Sequence, residues 1–262
     1  MPSSDRSGLP SLPWRLSAVW YRHFRVYTRD LVSNGLPPFL EPLIFLAGIG
    51  LGLGRYISEM GGMSYLTFLA TGLPMTAAMY TAAFECTYST FVRLEFDHVY
   101  DGMMAAPITA RDLLVGEILW AGTKGFFFSF AVVTVMALVG VLPLPGSLLS
   151  PLIGFFTGVM FAAMSLVVTS FVTSINQFSF YLTGALSPMF FFSGVVFPIE
   201  ELPGVLRRLA EVFPLTHSVR LARALDFLTV TPALPWDLLF IGAFTAAMGW
   251  LAIWRLQRRL VQ

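Results

Sequence analysis

Apolar runs of membrane-crossing length alternate with short polar breaks along this chain. Tyr65 to Phe84 contains no Asp, Glu, Lys or Arg, and beyond Lys124 no formal charge occurs from Gly125 to Ile199. The second run has room for three spans of about 20 residues each. Backbone groups inside a bilayer must bond internally, so the spans are helices or a closed barrel. Barrel strands alternate polar and apolar at every second residue, and Ala131–Gly140 (AVVTVMALVG) does not. The pattern therefore predicts an all-α integral membrane protein with six transmembrane helices, at about 39–54, 64–91, 110–140, 148–172, 178–196 and 237–254.

The flanks of these runs fill in the layout. Met1 to Pro13 is rich in Ser and Pro and lacks the apolar core and small-residue cleavage site of a signal peptide. Trp14 to Leu31 reads as an amphipathic helix. Arg15, Arg22, Arg25 and Arg29 fall within about 80° of one another at 100° per residue. Leu16, Trp20, Phe24, Tyr27 and Leu31 form the adjacent apolar stripe. Such a helix lies in the membrane interface or packs on a cytoplasmic partner. Asn34-Gly35 and Pro37-Pro38 then turn the chain into the first span, so residues 1–36 form a tail and interface helix and 37–262 one transmembrane domain. Arg55, Glu59 and Gly61-Gly62 make a short outer loop, and the glycines of Gly48 to Gly54 allow close helix approach. Between the fifth and sixth spans, prolines cut Phe197 to Trp236 into pieces too short to cross. Two short re-entrant or interfacial helices are expected there, Pro203 to Phe213 and His217 to Phe227, the second with Thr216 as a cap.

The longest early polar segment, Arg93 to Glu117, lies between spans rather than at an end. Thr109 with Asp112 three residues on has capping-box spacing, and starts the third span. Val99, Tyr100, Met103 and Met104 are apolar residues in polar surroundings, flanked by Asp97 and Asp101. A solvated loop does not need them. A short helix docked on another protein does.

Charge orients the layout and excludes other classes. Both ends are basic, at Arg15–Arg29 and Arg255–Arg259, and an even span count puts them on one side, which the positive-inside rule makes the cytoplasm. The polar segment then also lies inside. Some 56% of residues are hydrophobic and 12% charged, about half the charge of a soluble domain. A net charge of +1 leaves no nucleic-acid footprint. The single cysteine, Cys86, has no internal disulfide partner, and His23, His98 and His217 lie too far apart in sequence for a metal motif. Ser193 and His217 do not make an intramembrane protease dyad, because no G-x-S-G sequence accompanies them. An ion-coupled carrier or channel would show internal repeats and broken helices at mid-membrane, and no repeat is visible.

Ionisable residues at membrane depth are costly unless paired or wet. Glu41 and Glu85 are therefore either a polar gate lining or groups near enough to the cytoplasmic end to stay hydrated. Lys124, on the antiparallel third span, is the candidate partner of Glu85. Arg207, Arg208, Arg220 and Arg223, with His217 near them, sit on the outer side against the positive-inside rule. They either hold an anionic head group, since guanidinium forks suit phosphate, or snorkel to lipid. The aromatics at Phe126–Phe128, Phe155, Phe156 and Phe190–Phe192 either line a path or pack and face lipid.

Two stretches carry a resemblance. FFFSGVVFPIEELP (Phe190 to Pro203) with FPLTHSVRLARAL (Phe213 to Leu225) resembles the signature of ABC-2-type exporter permeases, and DHVYDGMMAAPITARDLLVGEILW (Asp97 to Trp120) resembles their cytoplasmic segment before the third span. The branch it is most similar to is the nodulation-protein-J-like permeases of lipo-oligosaccharide and polysaccharide export. The resemblance implies a dimer of this chain working with two copies of a separate cytoplasmic ATPase. That partner would carry the ATP and Mg, and this chain would carry no cofactor and do no covalent chemistry. No G-x-x-x-x-G-K-[ST] loop occurs here. The resemblance also implies that Trp14 to Leu31 is a gate or interface helix and that Phe96 to Ala106 is the coupling helix seated in the ATPase. An amphipathic, lipid-linked saccharide is the implied cargo, and a drug- or antibiotic-exporting permease is the alternative.

Overall fold

The computed structural model describes residues 9–52, 54, 56–57 and 59–260. The tail before Leu9 and Arg55 of the expected outer loop lie outside the described residues. The chain is built of helices: α1 (Leu12–Thr28), α2 (Leu31–Gly35), α3 (Pro37–Leu51), α4 (Tyr65–Phe84), α5 (Val99–Met104), α6 (Ala110–Leu138), α7 (Ser150–Phe171), α8 (Phe178–Tyr181), α9 (Ser187–Phe192), α10 (Gly204–Ala210), α11 (Pro214–Asp226) and α12 (Leu234–Leu260). Among the described residues, three helical stretches are long and apolar enough to cross a membrane: Ala110–Leu138, Gly146–Phe171 and Leu234–Leu260.

Local chemistry explains most boundaries. α6 starts at the full capping box, with the Thr109 hydroxyl accepting from the Asp112 amide and the Asp112 carboxylate accepting from the Thr109 amide. It ends at Leu138, two residues before the expected stop, because Gly140 turns left-handed (φ 78°). Glu59–Met60 and Met63–Ser64 pair as a small hairpin. Its two central residues, Gly61 and Gly62, both have positive φ, which a two-residue turn matched to strand twist requires. The expected proline-broken pieces are α10 and α11. α11 begins at Pro214, and Thr216 is not its cap: the hydroxyl donates back to the Ala210 carbonyl.

Two helices are wider than expected in places. α4 continues without interruption to Phe96, through π turns at Glu85–Ser89 and Val92–Phe96. α8 and α9 are likewise joined by a π turn at Leu182–Leu186, so the fifth expected span is a helical run from Phe178 to Phe192. At 1.5 Å per residue that run is about 22 Å long, shorter than a full hydrocarbon core of about 30 Å.

The core lies where α4, α6 and α7 meet, around Met75, Met79, Leu113, Met160, Phe161 and Leu166. α6 packs most extensively on α7, α12 packs on α7, and α11 tucks against α4, α7 and α12. α12 keeps most of its surface outward, including Trp250 and Trp254. α1 lies along α6. Gly116 permits this, since a Cβ there would come within 2.5 Å of the Val19 side chain.

Candidate functional site

Glu85, Arg93, Glu117 and Lys124 form one buried network with His23 and Tyr100. It starts from α4. Glu85 and Arg93 are eight residues apart, which in an α-helix separates them by about 80°. The π turn at Glu85–Ser89 takes up one extra residue, so the two come to within about 20° of each other on one face. Arg93 Nη1 then donates to Glu85 Oε1 at 2.8 Å, and Lys124 of α6 donates to Glu85 Oε2 at 2.9 Å. Arg93 Nη2 reaches Glu117 Oε2, two turns down α6 from Lys124, at 2.8 Å.

Glu117 is the hub, and it is fully buried. Its Oε1 accepts from the Tyr100 hydroxyl at 2.7 Å and lies 2.9 Å from His23 Nε2. One carboxylate thus touches α1, the extension of α4, α5 and its own α6. Burial, and then the Glu117 charge, push the Tyr100 phenol well above its usual range, which keeps it a donor. Arg15 of α1 pairs with Asp112, the capping residue of α6, and Trp20 Nε1 donates to Thr123 Oγ1 at 2.9 Å. Trp20, His23 and Tyr27 surround the Trp120 ring, with centroids 5.6–6.1 Å away. α1 is therefore fixed to α6 along its buried face, while Trp14, Tyr21, Phe24 and Val26 stay exposed.

His23, Glu85 and Glu117 place three ligand-type atoms within 4.8 Å of one another. Both carboxylates already hold Arg93, and Glu85 also holds Lys124. Two cations at that distance oppose a divalent ion, so the group is a charge network rather than a metal centre.

The segment from Phe96 to Ala106 differs from its sequence expectation. Tyr100 is not exposed; it is 2% accessible. Val99, Met103 and Met104 are half-buried, packed against the core. The short α5 turns its apolar side inward because Tyr100 must reach Glu117. The exposed residues of the segment include Phe96, which ends the α4 extension and is 62% accessible, then Asp97, then Asp101 and Gly102 of α5, and Ala105. Arg22 is half-buried, and Arg25 and Arg29 are exposed. Arg25 lies 5.9 Å from the Tyr21 ring.

Glu41 is not part of the network. It lines a cavity of about 520 Å³ between α3, α4 and α6, with Phe190 also on its wall. Glu85, Lys124 and Phe128 share its wall. Phe126, Phe156 and Phe191 are exposed on the outer surface of the helices.

The second expected group, between α9 and α12, separates into different roles. His217 is wholly buried, so it meets no head group. Its Nδ1 lies 2.7 Å from Asp237 Oδ1, its Nε2 lies 3.0 Å from the Glu211 carbonyl, and it stacks on Phe240 with ring centroids 3.8 Å apart. It ties α11 to α12. Arg220 pairs with Glu211 at 2.7 Å. Arg223 donates to the Phe68 carbonyl at 2.9 Å and lies over the Phe68 ring, which ties α11 to α4. Arg207 and Arg208 are exposed, with no ion pair among the described residues. At the end of α11, burial raises the Asp226 carboxyl to about 6, against the opposing effects of Ser150, Ser147 and Arg223.

Sequence reasoning named Glu85 with Lys124, but missed Arg93, Glu117 and His23 as their partners. The available signal was that Glu117 lies on the same span as Lys124, two turns from it and beyond the capping box.

Comparison with known proteins agrees with this architecture. The family model described as "ABC-2 type transporter" matches residues 15–227. The chain is 34% identical over 215 residues to Nodulation protein J of Sinorhizobium fredii, covering 82% of each. It is 32% identical over 255 residues to Nodulation protein J of Neorhizobium galegae, covering 97% of each. It is 22% identical over 204 residues to the inner membrane transport permease YadH of Escherichia coli, covering 78% of this chain and 79% of that one. With most of its length matched by the family model and by relatives above 30% identity, the chain belongs to the ABC-2 type transporter family, whose members are membrane transport subunits rather than ATPases.

Proposed function

We propose that this chain is the permease subunit of an ATP-driven exporter of a lipid-linked or amphipathic saccharide, leaving across the bacterial inner membrane. Two copies work with two copies of a cytoplasmic ATPase that holds ATP and Mg. Six spans place both termini inside, with the short α8–α9 run as the fifth. The name of one relative, an inner membrane transport permease, supports the membrane, and the cargo class rests on the resemblance to the nodulation-protein-J-like branch.

The observation that carries the reading is the Glu117 hub. Four helical elements meet at one buried carboxylate, and one of them, α5, presents its other face to solvent. A push on α5 from an ATPase closing beneath it is delivered through Tyr100 to Glu117. From there it passes to α1 through His23 and to the lower end of α4 through Arg93. These parts move together because separating them strands a buried charge, at a cost of about 3–5 kcal/mol. Glu85 and Lys124 carry the motion to the cavity wall. The surface the ATPase meets is Phe96, Asp97 and Asp101 rather than Tyr100.

The test is ATPase activity of the partner with this chain in nanodiscs, compared with the Phe96→Asp variant. Loss of co-purification or of stimulation in the variant supports the reading. If no ATPase binds the wild-type chain, the exporter reading fails.

A further inference from the structure

The cavity beside the network has a charged lining and an apolar one, and its charge is unbalanced. Its volume, about 520 Å³, is that of a small-molecule site. Glu41, Glu85 and Lys124 are its charged lining, and Leu73, Phe128 and Val132 lie farther along it, with Thr76 and Tyr80 between. From Leu73 to Glu85 along α4 is about 18 Å, and from Lys124 to Val132 along α6 about 12 Å. Those lengths match one leaflet of hydrocarbon, about 15 Å. With the termini inside, the charged lining lies on the inner side of the cavity, and Leu73 and Val132 lie toward the outer side. The shape is that of an amphiphile about one leaflet long.

The charges decide which amphiphile. Glu85 is neutralised by Lys124 and Arg93. Glu41 makes no ion pair or hydrogen bond among the described residues. The cavity therefore faces its occupant with one unanswered negative charge. Glu41 is exposed, so an occupant that displaces water from it must answer its charge. An ammonium head supplies the missing partner, and a hydroxyl-bearing head supplies donors. A phosphate head meets repulsion from Glu41 and finds Lys124 already engaged.

We propose that Glu41 is the head-group selector of this cavity, admitting amphiphiles with an ammonium head most readily and uncharged polyol heads next, and rejecting anionic heads. The selector rests on the exporter reading for calling the occupant cargo, and on the cavity alone for its binding. Glu41 is exposed at the start of α3, so neutralising it leaves the packed core untouched.

The experiment is saturable binding of tritiated dodecylamine to the full chain in zwitterionic nanodiscs, with empty discs subtracted. Dodecyl maltoside and dodecyl phosphate serve as competitors. Dodecylamine is expected to bind at least tenfold more tightly than dodecyl phosphate, with the maltoside between them. Glu41→Gln should erase the amine-over-phosphate preference while changing maltoside competition less than twofold, and Glu41→Lys should invert the preference. Ala77→Phe, which fills the cavity, should abolish saturable binding of all three. The proposal is overturned if the wild type shows no saturable binding, if Glu41→Gln keeps the order, or if binding survives Ala77→Phe. ATPase stimulation is read separately. Selective binding without stimulation sinks the exporter reading and leaves the selector standing, whereas stimulation without selectivity sinks the selector alone.

Discussion

Replacing Glu117 by Gln tests the network at its most heavily used point. The amide keeps one acceptor oxygen, so one of the bonds from Tyr100 and Arg93 survives, but its amino group then faces a donor. A lost bond to a buried charged group costs about 1.5–3 kcal/mol. Arg93 is left with Glu85 alone, which it shares with Lys124, and removing one partner from a buried pair costs about 3–5 kcal/mol. The lower end applies, because the Arg93 side chain is 14% exposed and keeps one carboxylate. A loss of about 3 kcal/mol moves the unfolding midpoint of a chain this long by roughly 6–12 °C. Thermal unfolding in nanodiscs, followed by tryptophan fluorescence, measures it. Adding Arg93→Gln should make the double variant about 1–3 kcal/mol more stable than the sum of the two single losses, since the double change removes both charges. A midpoint within about 1 °C of wild type, or two losses that simply add, would refute the ionic hub.

The remaining predictions use the same preparation. Tyr100→Phe should lower the midpoint by the equivalent of about 1.5–3 kcal/mol, while Phe96→Asp leaves the midpoint unchanged and lowers ATPase capture; the reverse pattern would mean the partner meets the other side of α5. The Asp226 carboxyl is raised to about 6 from 3.8, so its stabilising share is full below pH ~4 and lost as pH rises through ~6, worth roughly 3 kcal/mol. Asp226→Asn should accordingly match wild type near pH ~4 and exceed it at pH ~7, and parallel pH profiles would contradict this. Gly116→Val places atoms against Val19, and should loosen α1 from α6, seen as faster proteolysis near Trp14 with the rest of the chain protected.

What the sequence made legible was local or forced by scarcity. The capping box at Thr109 and Asp112 needs only four consecutive residues to be recognised. Glu85 and Lys124 could be paired because almost nothing else ionisable lies in those runs. Tyr100 was misplaced because a tyrosine among aspartates reads as surface, and only the position of Glu117 on another helix turns it inward. His217 was misplaced for the same reason: its partner Asp237 belongs to α12, across a proline-broken stretch.

Arg93 was hidden by helix phase. A regular α-helix drawn from the sequence sends it about 80° away from Glu85, toward the solvated polar segment where an arginine raises no question. The π turn at Glu85–Ser89 corrects the phase by one residue, and no composition or periodicity in ECTYS announces it. The turn is therefore as much a part of the site as the charges it aligns. Deleting Ser89 removes the residue that the π turn absorbs and leaves Glu85 and Arg93 seven residues apart, about 20° in a regular α-helix. The ion pairs should therefore survive, with a plain α turn in place of the π turn. Inserting one Ala after Ser89 should instead swing Arg93 by about 100° away from Glu85 and Glu117, with a fall in unfolding midpoint at least that of Arg93→Gln. A deletion variant as unstable as Arg93→Gln, or an insertion variant as stable as wild type, would show that the extra residue does not set the register of the network.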